Sequence, residues 1–78
     1  MKEKLNEYFE KEYQTTLDTL KSNPTWLHTK QDKKDMIWHT VQRCLGAVMF
    51  AQNLGLPYED TKAYDEYLEK FKLLILDN

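Results

Sequence analysis

The sequence predicts an all-α domain of three helices, with the middle helix central. Three observations carry this. Apolar residues recur at spacings of three and four rather than two. Asn23-Pro24 and Gly55-Leu56-Pro57 are the strong punctuation, and they cut the 78 residues into three pieces of helical length. The composition points nowhere else. Two glycines and two prolines exclude a collagenous or low-complexity chain, one cysteine excludes a disulfide scaffold, and 13% aromatic residues argue against disorder.

The first helix is expected from about Lys2 to Lys21. Leu5, Phe9, Tyr13, Leu17 and Leu20 line one face. Glu3 near its start and Lys21 near its end suit the helix dipole. Glu7 and Lys11 form a surface pair one turn apart. Ser22-Asn23-Pro24 ends the helix.

The second helix has three candidate starts: Thr25, a capping box of Thr29 with Asp32, or Asp32 itself. The favoured reading is a short turn over 25–28, then a helix from about Lys30 to Leu54. Gly55 fits the left-handed position after the helix, and Pro57 bars continuation. The third helix is expected from Pro57 or Tyr58 to about Leu76. Its seam is Tyr64, Tyr67, Leu68, Phe71, Leu74 and Ile75. The short connection makes the second and third helices antiparallel neighbours.

From Met36 to Leu56 the one charged residue is Arg43. Ile37, Val41, Cys44, Leu45, Val48 and Ala51 fall on one side of that helix, the expected core face. Asp35, His39, Gln42, Arg43, Gly46 and Asn53 fall on the other, the expected wet face. Phe50 breaks the pattern, because it lies in the polar stripe, one turn after Gly46 and flanked by Ala47 and Leu54. A mid-helix glycine costs about 1 kcal/mol relative to alanine, which needs some return. Leu73 and Leu76 similarly point away from the seam of the third helix.

Two readings fit this surplus of apolar residues. It is covered inside the monomer, or it forms a protein–protein interface of Gly46, Phe50 and Leu54 with Leu73 and Leu76. A domain this small buries only about 60% of its unfolded surface. It also lacks a disulfide or a metal pattern to staple it. A second copy of the chain is therefore the expected partner, giving a homodimer.

Other chemistry finds less support. Asp35, His39 and Arg43 stand at successive one-turn spacings, where Asp and His are able to orient a proton or bind a metal. A solvated charge ladder is the simpler reading. Cys44 sits among apolar neighbours, where burial raises its pKa and disarms it as a nucleophile. His28 reads as a turn residue. Trp26 and Trp38 read as anchors that finish the core. No phosphate loop, nucleophile elbow or paired-cysteine motif occurs, so an enzyme and a cofactor are not expected.

The net charge is −2 and no segment is a basic arm, which argues against generic nucleic-acid binding. The nearest candidate is the start of the second helix, with Lys30, Gln31, Lys33 and Lys34, interrupted by Asp32 and Asp35. A regulator acting on nucleic acid through that segment is the alternative reading. The N-terminus lacks the apolar region of a signal peptide, no run is long enough to cross a bilayer, and a lone cysteine suits a reducing compartment. A cytoplasmic location is expected.

The stretch from Cys44 to Tyr58, Cys-Leu-Gly-Ala-Val-Met-Phe-Ala-Gln-Asn-Leu-Gly-Leu-Pro-Tyr, resembles short uncharacterised proteins of bacterial mobile elements and phages. Those carry a Leu-Gly-Ala helix ending in Leu-Gly-Leu, then a tyrosine-rich helix. The resemblance spans about Cys44 to Leu68. It implies a bacterial accessory protein and carries over no catalytic residue.

Overall fold

The computed structural model describes residues 1–78 as three α-helices without strands: α1 (Lys2–Ser22), α2 (Lys30–Asn53) and α3 (Ala63–Asp77). They lie side by side in a bundle 41 × 18 × 16 Å. Each boundary has a local cause. At the end of α1, Asn23 takes a left-handed conformation (φ 46°) and its N–H donates to the Thr19 carbonyl at 3.2 Å. Asparagine tolerates that conformation better than any other non-glycine side chain.

At the start of α2 the capping box forms. The Asp32 N–H donates to Thr29 Oγ1 at 3.0 Å, and Asp32 Oδ2 accepts from the Thr29 N–H at 3.1 Å. The same oxygen takes the His28 N–H at 3.2 Å. Those amides hold the Asp32 carboxyl below its usual pKa, the Thr29 backbone contributing most. The segment before it is a turn closed by Leu27 N–H to the Pro24 carbonyl at 2.9 Å.

The end of α2 is a Schellman motif. Leu56 N–H reaches the Ala51 carbonyl and Gly55 N–H the Gln52 carbonyl, both at 3.0 Å. Gly55 has φ 101°, which disfavours any residue with a side chain. The last element departs from expectation. Pro57 starts a 3₁₀ turn over Tyr58–Thr61, and α3 begins only at Ala63. Thr61 pins this turn. Its hydroxyl donates to the Tyr58 carbonyl at 2.7 Å and accepts from Gln52 Nε2 at 3.2 Å.

The core is Leu5 and Phe9 from α1, Ile37, Val41, Cys44, Val48 and Ala51 from α2, and Phe71 from α3. Tyrosines fill the seam between α1 and α3. The Phe9 and Tyr67 rings lie 5.7 Å apart and those of Tyr13 and Phe71 5.4 Å apart, with Lys70 Nζ 4.6 Å from the Tyr67 ring centre.

Three expectations need correction. Leu45 is exposed, not core: it follows Cys44 by one residue, which swings it about 100° off the inner line. Trp38 is exposed for the same reason after Ile37. Trp26 is exposed as well, because Leu27 beside it fills the core under the loop at 3% exposure.

The Tyr67 hydroxyl donates to the Glu10 carboxylate, tying α3 to α1. That bond pushes the Tyr67 pKa from its usual 10.0 to about 12 and pulls the Glu10 carboxyl down. A tyrosine pKa raised by folding stabilises the fold fully below about pH 10. The stabilisation fades as pH climbs through about 12. Tyr67→Phe should therefore lose a smaller part of its melting temperature than the parent between about pH 10 and 12, as thermal denaturation across that range will show.

Candidate functional site

The five residues singled out as an interface are all at the surface. Gly46 lies mid-way along α2, and a Cβ built on it would meet nothing within 4 Å. Its φ is not positive, since Gly55 alone among the glycines has that conformation. Nothing inside the monomer therefore requires a glycine there. Phe50 is 65% exposed, Leu76 is 81% exposed, and Leu54 and Leu73 are exposed too.

The fold separates these residues into two groups. The Gln52–Thr61 bond marks the end where α2 turns into α3. Phe50 and Leu54 lie at that end. Leu73 and Leu76 lie about 15 to 20 Å along α3 from its start at Ala63, toward its other end. No single small patch holds all five.

A second exposed row joins them. Trp38, Leu45 and Met49 are exposed and follow one another at spacings of seven and four, one line along α2. Two bonds fix which flank this is. Arg43 Nη2 meets Glu12 Oε2 of α1 at 3.1 Å, whereas Gln52 bonds Thr61 just before α3. The row lies on the α3 flank, and at about 1.5 Å per residue Trp38 and Leu76 each stand about 20 Å along their helices from the turn that joins α2 to α3. The outward face of α2 thus has a low stripe of Gln42, Gly46 and Asn53. Phe50 and Leu54 border it on one side, and Trp38, Leu45 and Met49 on the other.

No protein-family model, curated protein or solved structure matches the chain.

The surface itself thus supplies the functional evidence. It exposes ten large hydrophobic residues, against nine hydrophobic residues buried. Scattered exposed leucines are ordinary, but rows of them beside tryptophan, phenylalanine and methionine are the composition of interface centres. The sequence reading missed the row at 38, 45 and 49, because it placed Leu45 and Trp38 in the core. A helix with two apolar lines does not reveal by period which one is buried.

The polar candidates fall elsewhere. Asp35, His39 and Arg43 line a cleft between α1 and α2. No three His, Cys, Asp or Glu side chains converge there or elsewhere to hold a metal ion. Cys44 is buried, and desolvation pushes its thiol up to about 11, so the reactive thiolate is scarce near neutrality. Lys30 and Lys34 are exposed and Lys33 is half-buried. Asp32 among them is committed to the helix cap. No helix is long and apolar enough to cross a membrane.

Proposed function

We propose that this protein is a small helical interaction module that works as a homodimer, pairing the outward face of α2 with the same face of a second copy. Gly46 carries the reading. It forgoes about 1 kcal/mol of helix stability, and the monomer gains neither space nor a special backbone angle in return. A glycine between two apolar rows suits the close crossing of another helix, with Phe50 and Met49 gripping its sides.

The charge pattern favours a second copy as that partner. Arg43 is the one charged residue from Met36 to Leu56, and it is already paired with Glu12. Two such faces meet without bringing like charges together. A standard interface covers about 800 Å² per partner, about one-seventh of the 5438 Å² of accessible surface. Leu73 and Leu76 extend the strip at its Trp38 end, and His39, Arg43 and Asn53 form its polar rim.

The test is Gly46→Ala, because its two effects have opposite signs. The added methyl stabilises the isolated monomer by about 0.5–1 kcal/mol, raising its melting temperature by several degrees in dilute solution. The same methyl keeps the partner helix away and weakens dimerisation about tenfold. Thermal melts in dilute solution and sedimentation equilibrium measure the two terms separately. An unchanged or tighter dimer in the variant would remove Gly46 from the interface.

A further inference from the structure

A cleft of about 500 Å³ lies between the second half of α1 and the first half of α2. That volume lies within the usual range for small-ligand sites. Its lining is unbalanced in charge: Glu12, Asp32 and Asp35 face one permanent cation, Arg43. Arg43 Nη2 is already engaged with Glu12 at 3.1 Å and with Thr40 Oγ1 at 3.0 Å.

The hydrogen-bond inventory leans the same way. The hydroxyls of Thr16, Thr19 and Thr40 donate to carbonyls of their own helices, at 2.8, 2.8 and 3.2 Å. What Thr16 and Thr19 keep for the cleft is their acceptor lone pairs. Asp35 accepts from Gln31 through Oδ1 at 2.8 Å and keeps Oδ2. Asp32 uses Oδ2 for the helix cap and keeps Oδ1. The walls also hold donors at Thr15, His39 and the remaining N–H groups of Arg43, but three carboxylates against one permanent cation leave an excess of negative charge, and a fitting ligand brings positive charge.

Trp26 supplies the remaining feature. Its indole lines the cleft yet is 59% exposed, because Leu27 has taken the anchoring role in that loop. An indole face beside carboxylates attracts an ammonium or guanidinium group. A bare metal ion is not matched, since no three ligating groups converge. An extended organic cation is able to reach the indole and a carboxylate together. We infer that this cleft binds an organic cation, an ammonium or guanidinium group carried by a free amine or by the side chain of a polypeptide. The site adjoins the apolar strip, because His39 and Arg43 line the cleft and also stand at the strip's polar rim.

The test is amide and indole chemical-shift mapping on the full chain, with agmatine as the free amine and a short uncharged peptide bearing one arginine as the other source. The expected result is a saturable shift at millimolar probe, confined to Thr16, Thr19, His39 and the Trp26 indole. Trp26→Ala and Asp35→Asn should each weaken it about fivefold or more. Glu66→Gln on α3, outside the cleft, should leave it unchanged. Both variants alter exposed side chains, and an unchanged helical circular-dichroism spectrum confirms their folding. Tighter binding of agmatine assigns a free amine, and tighter binding of the peptide a polypeptide side chain. The inference is overturned if neither probe saturates. It is equally overturned if Glu66→Gln weakens binding as much as Asp35→Asn.

Discussion

Phe50→Asp is expected to split the proposed dimer while leaving the helices in place. Phe50 is 65% exposed in the monomer, so its removal opens no cavity. Aspartate and phenylalanine have similar helix propensities, and the local cost is a few tenths of a kcal/mol. In the proposed dimer the ring would be desolvated against the facing helix, where aromatic anchors are worth about 2 kcal/mol or more. A two-fold interface uses every residue twice. The substitution therefore costs about 4 kcal/mol, roughly a thousandfold in Kd. Burial of two carboxylates adds to this. Circular dichroism should be unchanged while sedimentation reports a monomer. If the variant instead loses its helices, Phe50 is part of the monomer's own core.

Phe9→Ala has the opposite signature. Phe9 is fully buried and touches the tyrosine seam, with Tyr64 and Tyr67 ring centres at 6.1 and 5.7 Å. Truncating such a ring costs about 3–5 kcal/mol. A 78-residue domain has about 4–12 kcal/mol to lose. The variant should be largely unfolded, or melt tens of degrees lower, at every protein concentration. Denaturant titration measures this directly. A loss under about 1 kcal/mol would mean that the seam between α1 and α3 is not the stabilising contact described above.

The elements of the fold were legible because their signals are local. The Thr29–Asp32 box, the Asn23 stop and the Gly55 turn each use side chains within a few residues of one another, and each forms as read. The 3₁₀ turn after Pro57 was less legible. It depends on Thr61 meeting Gln52, a contact made only once the chain has doubled back.

The candidate site was legible in part for a related reason. Phe50 stood out because it interrupted a polar stripe. Leu45 and Trp38 did not, because each neighbours a core residue and reads as an extension of the apolar face. Burial is settled by where α3 comes to lie, and no spacing within α2 states that. The cleft was hidden more deeply. Asp35, His39 and Arg43 share a helix face, but Glu12 and Trp26 come from elsewhere in the chain.

The decisive measurement is absolute mass in solution by light scattering, over a concentration series at low and high salt. The apolar strip predicts a mass that rises from 9.4 kDa toward twice that value with concentration. It also predicts little response to salt, since the paired faces carry almost no charge. A mass of 9.4 kDa at every concentration would contradict self-association through α2.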